Sequence, residues 1–123
     1  MEKLFEEYDL FLTPTVAHPA PRVDQKLQSD LIYTRLRVAA ELSELELADL
    51  IYEMFEKSFV MTPYTQLANL TGQPAILLPT YVTTEGLPLG IQFMASKGRE
   101  DLLFEIGKQF EKKELFQLPT PFR

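Results

Sequence analysis

The chain has 123 residues, 46% hydrophobic and 24% charged, with a net charge of −6 and a pI near 4.8. That length and balance suit one globular domain with a core of its own, and the acidic excess argues against a nucleic-acid surface, which needs a basic patch. The absence of cysteine excludes disulfides, thiolate catalysis and thiolate metal sites.

No apolar run approaches the roughly 20 residues of a membrane span. The start, MEKLFEEYD, is acidic and lacks the basic opening and long apolar run of a signal peptide. These features fit a cytoplasmic protein without a membrane partner. Glu2 to Tyr8 reads as the end of a helix, with Leu4 and Phe5 turned inward. Asp9 to Leu12 is a brief apolar run stopped by Thr13-Pro14, which predicts a short buried strand. Thr15 to Arg22 carries Pro19 and Pro21 and reads as an extended loop. From Val23 to Met61 there is neither glycine nor proline, and the helical segment is placed at about 29–59. Ser29 and Asp30 are candidate caps of a first helix, with Ile32, Leu36 and Ala39/Ala40 recurring at helical spacing. Ser43-x-x-Glu46 has the form of a capping box. A second helix then starts near Ser43 with Leu47, Leu50, Ile51, Met54 and Phe55 as its apolar face; one long helix kinked near Ser43 is the competing reading. Glu44, Glu46, Asp49, Glu53 and Glu56 read as a solvated face.

The most informative stretch is 62–94, TPYTQLANLTGQPAILLPTYVTTEGLPLGIQFM. Thr62 is placed as a helix N-cap and Pro63 at the first helical position. Gly72 falls where a left-handed residue closes a helix. Ala75 to Leu78, bounded by prolines, predicts a buried strand. Thr84-Glu85-Gly86 predicts a turn, and Leu89 to Met94 the returning strand, antiparallel to its predecessor because the connection is short. Beyond it, Arg99 to Glu111 is amphipathic, with Leu103, Ile106 and Phe110 on one stripe and Leu102 beside it. Gly107 weakens that helix by about 1 kcal/mol relative to alanine and is a candidate point of close packing. Leu115 to Arg123 reads as a tail.

The pattern T-P-Y-T-x-x-x-N-L-T-G-Q-P-A-I-x-x-P followed by G-L-P-L-G-I-Q resembles the C-terminal part of the amidase signature enzymes. Tyr8-Asp9-Leu10-Phe11-Leu12-Thr13-Pro14-Thr15 upstream and the closing amphipathic helix come in the same order, so the resemblance runs from about Tyr8 to Glu111. It implies a serine hydrolase that cleaves carboxamides, of the group that includes the A subunit of glutamyl-tRNA amidotransferase. The expected fold is α/β: a small mixed sheet of about three strands covered by about four helices, part of the larger amidase signature fold, with residues 1–123 forming one C-terminal piece of it. Whether the first strand joins the other two, and in which direction, is left open by the sequence.

Hydrolysis needs an activated nucleophile, a proton carrier and an oxyanion hole. Ser29, Ser43, Ser58 and Ser96 have no lysine three residues on, and none sits in a glycine-rich turn. Lys57-Ser58 and Ser96-Lys97 are neighbours on the chain, and such neighbours rarely face each other. His18, the single histidine, lies among prolines with no serine nearby in sequence, and reads as a loop histidine before a pocket contact. There is no zinc-like spacing and no phosphate or dinucleotide loop, so no metal and no cofactor is expected.

In the family, the resemblance implies, a serine nucleophile, a second serine in a cis peptide bond and a lysine lie in the N-terminal and central parts, around a Gly/Ser-rich signature. This chain has no Gly-Gly and no Ser-Ser, so no catalytic residue is assigned here. Carried over by position, Thr62, Tyr64 and Gln66 are candidate substrate-pocket contacts, with Asn69 holding the loop; a plain helix cap at Thr62 and a helix-end hydrogen-bonding role at Asn69 are the structural alternatives. In the glutaminase relatives of this family, an aspartate matches Thr62 and binds the substrate's amino group, which an uncharged threonine cannot do. A general amidase is therefore the expected parent. The expectation is a fragment whose small-molecule amide substrate is bound only together with a missing N-terminal part, and whose exposed apolar surface supports a dimer. The alternative is a standalone non-catalytic α/β module that binds a partner through that surface.

Overall fold

The computed structural model describes residues 1–26 and 28–120, with Lys57 described by its backbone alone. The last three positions of the expected tail, and the Lys57 half of the Lys57-Ser58 pair, lie outside the described residues and side chains. Among the described residues the elements are α1 (Glu2–Phe5), β1 (Leu10–Pro14), α2 (Asp30–Arg37), a 3-10 turn (Ala39–Glu41), α3 (Glu44–Met61), α4 (Thr65–Thr71), β2 (Ala75–Val82), β3 (Pro88–Ala95) and α5 (Glu100–Lys112). The α/β class is as expected.

The sheet has the order β1-β3-β2, and both pairings are antiparallel. It is thus not mixed: β1 joins it, but beside β3 and running opposite to it, with Leu10 facing Ala95 and Thr13 facing Gln92. β3 is the central strand, and its last four residues, Gln92 to Ala95, are all buried. The Gly86 turn is as predicted: the Gly86 N–H donates to the Thr83 carbonyl at 2.9 Å and φ at Gly86 is +83°. β2 runs four residues further than the apolar run suggests, through Pro79, and its register with β3 slips between Pro79 and Tyr81.

Both outer strands place a proline on their free edge. The Thr15 N–H donates to the Gly90 carbonyl and the Ala95 N–H to the Pro74 carbonyl. Antiparallel bonds alternate along a strand, so Phe11 and Thr13 turn their N–H groups towards β3, while Leu10, Leu12 and Pro14 face outward. On β2, Ile76 and Leu78 face β3, while Ala75, Leu77 and Pro79 face outward. A proline is tolerated where its missing N–H would have met solvent. The Pro79 carbonyl on that outer edge accepts the Gln117 N–H at 2.9 Å.

α5 covers one face of the sheet. Leu103 joins Leu78, Phe93 and Ala95 in the core, and Leu10, Ile76, Ile91, Ile106, Phe110 and Phe116 pack around them. Phe93 and Phe110 meet edge to face at 5.8 Å, and Phe110 stacks on Phe116 at 6.4 Å. The stripe read from the sequence is therefore the stripe that packs.

The helical segment resolves into two helices and not one kinked helix. Ser29 caps α2 by accepting the Ile32 N–H at 3.3 Å. Ser43 and Glu46 form the full capping box at the start of α3, the Glu46 carboxylate accepting from the Ser43 backbone N–H at 2.9 Å and hydroxyl at 2.7 Å. Arg35 on α2 bridges to Glu53 on α3 at 2.8 Å. Leu50 is only 1% exposed, and Leu47 and Met54 are half-buried beside it. Ile51 and Phe55, expected on the same inward face, are instead 54% and 50% exposed. The reason is angular. At 100° per residue, the apolar positions of α3 from Leu50 round to Leu45 span about 220°, about twice the stripe of an ordinary surface helix. α2 covers only one side of that arc.

Candidate functional site

The four candidate pocket residues lie together on the α3–α4 junction and on α4. Thr62 does not cap α4. Its N–H and its Oγ1 both donate to the Ser58 carbonyl, each at 2.9 Å, so it closes α3 at that helix's C-terminus. Apolar Val60 and Met61 carry α3 two residues beyond the expected end near 59. Pro63 then occupies the turn between helices and not the first helical position, and α4 begins at Thr65 with Tyr64 as its cap residue, without a side-chain cap bond. The Thr65 hydroxyl reaches back to the Thr62 carbonyl at 3.4 Å.

Tyr64 is 40% exposed. Gln66 is half-buried on the first turn of α4, and Asn69 is exposed three residues on, so the two are neighbours along one helix face. Gly72 ends α4 as expected, with φ +73° and its N–H on the Ala68 carbonyl at 2.7 Å. The loop after β1 is tied to this junction: the Ala17 N–H donates to the Met61 carbonyl at 2.8 Å. That bond brings the backbone next to His18 alongside Thr62, a proximity that leaves no sign in the local pattern. His18 itself is exposed.

The serines have structural work. Ser29 and Ser43 cap helices through their hydroxyls, and Ser58 supplies the carbonyl that Thr62 uses twice. The Ser96 carbonyl accepts the Arg99 N–H at 3.0 Å. Among the described side chains no lysine amine hydrogen bonds to a serine hydroxyl.

A second set of polar groups lies on the sheet face opposite α5. The register aligns Thr13, Gln92 and Leu77 across the three strands in one row. The next row holds Thr15, bonded through its backbone to Gly90, with Pro79 beyond it. Thr13 and Gln92 are 4% and 3% exposed. Thr13 Oγ1, Thr15 Oγ1 and Gln92 Nε2 are each enclosed and without a hydrogen-bond partner among the described residues. Thr15, Leu77, Leu78, Pro79, Pro88, Leu89 and Gly90 line an open cavity of about 280 Å³ there. Sequence reading missed these groups because Thr13 is read as the stop of the first strand and Thr15 as the start of a loop, while Gln92 is one polar residue inside a predicted strand. The glutamine in that strand was the only local signal. None of Thr62, Tyr64, Gln66 and Asn69 lines this cavity.

Compared with known proteins, residues 1–104 match the amidase family model. The chain belongs to the amidase family. It is 39% identical over 119 residues to a lipoamidase of Enterococcus faecalis, a match that covers 97% of this chain and 16% of that protein. It is 32% identical over 104 residues to a 6-aminohexanoate-cyclic-dimer hydrolase of Paenarthrobacter ureafaciens, covering 85% of this chain and 18% of the relative. The A subunit of a glutamyl-tRNA(Gln) amidotransferase from Clostridium botulinum matches at 30% over 111 residues, which is 90% of this chain and 18% of the relative. Among solved structures, 6-aminohexanoate cyclic dimer hydrolase superposes with a TM-score of 0.60 at 29% identity, over 99% of this chain and 23% of the hydrolase. The chain thus spans about a sixth of the lipoamidase it matches and under a quarter of the hydrolase structure. Among its described residues no helix is long and apolar enough to cross a membrane.

Proposed function

We propose that this chain is the C-terminal part of a serine amidohydrolase, a general amidase, and that it supplies scaffold and one wall of the substrate pocket but none of the catalytic groups. The observation that carries this reading is the lopsided coverage: nearly all of this chain matches, against a small fraction of each relative. The relatives' names, a lipoamidase and a cyclic-dimer hydrolase of 6-aminohexanoate, point to a carboxamide as the bond cleaved. In such a reaction a serine oxygen attacks the amide carbon, the C–N bond breaks as the nitrogen takes a proton, and water then releases the acid from the acyl-serine. On this reading the serine and its proton carriers belong to other polypeptide, because the serine hydroxyls at 29 and 43 are committed to helix caps. Thr62, Tyr64 and Gln66 face the acyl group and Asn69 steadies the α4 segment. Thr62 offers no charge to an amino group, which favours an uncharged amide over glutamine.

The test is direct. Purified chain incubated with small carboxamides such as hexanamide is expected to release no ammonia above the buffer blank. Turnover that survives further purification overturns the assignment.

The second reading, a non-catalytic interaction module, draws on Ile51, Tyr52, Phe55 and Phe59, which lie exposed on α3 with the two phenylalanine rings stacked at 6.1 Å. An apolar surface of that size normally meets a partner. As a fragment the chain self-associates through it, so light scattering at rising concentration is expected to show dimers or larger species. A clean monomer favours the module.

A further inference from the structure

α3 carries apolar side chains on two sides. Leu47, Leu50 and Met54 are buried or half-buried within the chain's own fold. On the other side Leu45, Ala48, Tyr52, Phe55 and Phe59 are all exposed. They recur at alternating steps of three and four residues, the spacing of a coiled-coil seam. At 1.5 Å per residue the stripe is about 21 Å long, and it is shaped for a helix laid along it. Ala48 is small between Leu45 and Tyr52, which leaves a gap for a large apolar side chain from the other helix.

The flanks decide what that helix is. Leu45, Tyr52 and Phe59 occupy heptad positions a, and Ala48 and Phe55 positions d. Positions e then fall on Asp49 and Glu56, and positions g on Glu44, Ile51 and Ser58. Residues at e and g select the partner of a seam. Every charge on them here is negative, and no described side chain forms a salt bridge with Glu44, Asp49 or Glu56. A second copy fits poorly. A parallel pair of α3 helices sets Glu44 against Asp49 across the seam, and an antiparallel pair sets Asp49 against Glu56. Like charges so placed discriminate against that partner. Self-association through this face therefore works against its own acids, and is expected to strengthen as salt screens them.

We propose that the exposed stripe of α3 docks a basic amphipathic helix of another protein, apolar at a and d with lysine or arginine at e and g. The face rests on the interaction-module reading; the chemistry of its occupant is added here.

The test uses the full chain and two synthetic helices of about three heptads, each with leucine at a and d. One carries lysine at e and g, the other glutamate, so their own like charges keep each peptide monomeric. Binding is followed by fluorescence anisotropy of the labelled peptide. Exposed ion pairs are weak singly, but three of them turned from repulsion to attraction give the lysine peptide a preference of about tenfold. That preference should shrink between about 0.1 M and about 1 M salt. Asp49→Lys combined with Glu56→Lys is expected to reverse the order of the two peptides. Glu105→Lys combined with Glu111→Lys on α5 makes the same change in net charge and is expected to keep it. Tyr52→Asn breaks the seam at an exposed position without altering charge, and should weaken the lysine peptide about tenfold. Equal affinity for the two peptides, tighter binding of the glutamate peptide, or an order that also reverses in the α5 variant overturns the basic partner and leaves an interaction face on α3 standing. No binding of either peptide, or full affinity in Tyr52→Asn, overturns both. Self-association that weakens with salt assigns the face to a second copy and overturns the proposal as well.

Discussion

Two glycines offer the same substitution with opposite expected signs. Gly107 lies inside α5, where glycine costs roughly 0.5–1 kcal/mol relative to alanine. A Cβ built there meets Ile76 Cδ1 at 3.5 Å and Leu78 Cδ2 at 4.0 Å, ordinary van der Waals contact with the core. The close packing expected at this position from sequence thus leaves room for a methyl group. Gly107→Ala should gain the helix term and part of the roughly 0.8 kcal/mol of burying one methyl group, about 1–1.5 kcal/mol in all. At this chain length that is about 4–6 °C in Tm. At Gly90 the added Cβ stands 2.8 Å from the Leu78 backbone carbonyl oxygen, which cannot swing away as a side-chain tip can. Gly90→Ala should cost about 1–3 kcal/mol as the strands part. The assay is urea unfolding followed by circular dichroism, comparing midpoints at unchanged m-value. A destabilised Gly107→Ala, or a neutral Gly90→Ala, refutes the argument that Cβ clearance decides the sign.

Glu114 holds φ at +54° where the chain leaves α5, and the Leu115 N–H reaches back to the Phe110 carbonyl at 3.0 Å. This is a left-handed helix end built without glycine, so Glu114→Gly should stabilise by about 1 kcal/mol, read as a higher urea midpoint. Leu50→Ala, which empties a site 1% exposed between α2 and α3, should cost about 2–5 kcal/mol, seen in the same titration. The Ser43 hydroxyl and backbone N–H hold the Glu46 carboxyl below its ordinary value of 4.5. A group depressed in the fold contributes stability above its unfolded value and loses it as pH falls through the folded one. The α3 cap should therefore weaken below pH 4.5, and Glu46→Gln should flatten that part of the acid-unfolding profile. An identical profile in both proteins counts against the cap.

Much of the fold was legible because local signals and packing agreed. Ser43-x-x-Glu46, Gly72, Gly86 and the Leu103–Ile106–Phe110 stripe all act where the sequence placed them, since each depends on residues within one or two turns. Thr62 failed because two local signals compete. Ser-Phe-Val-Met supports helix as well as Thr-Pro supports a start, and α3 simply continued until Pro63 stopped it. Ile51 and Phe55 failed because periodicity reports which residues are apolar, not how many neighbours arrive to cover them. The direction of β1 was beyond reach, since a strand pairing about 80 residues away leaves no trace in local pattern. Thr13, Thr15 and Gln92 became visible as a group only once the register aligned them.

The two sheet edges make the last prediction. Leu-Phe-Leu-Thr carries no charge and reads like an interior strand, yet in this chain β1 lies on the outside. Exposed edges of that kind invite pairing with other chains, and here one proline on each side removes a single outward donor. Before the register slip of β2, the donors that remain outward are the N–H groups of Leu10 and Leu12 on β1 and of Ala75 and Leu77 on β2, as the alternation of bonds requires. Those of Phe11, Thr13, Ile76 and Leu78 point to β3. In a monomer, hydrogen exchange resolved by residue should therefore alternate: fast at 10, 12, 75 and 77, and slow at 11, 13, 76 and 78. Dilution series separate two causes of any departure. Protection at Leu10 and Leu12 that grows with concentration means that a second chain has added a strand to β1, so self-association runs through the edge and not through the aromatic stripe of α3. Protection at all eight positions that is independent of concentration contradicts the register itself, because no single chain with this sheet order can bond both sides of β1.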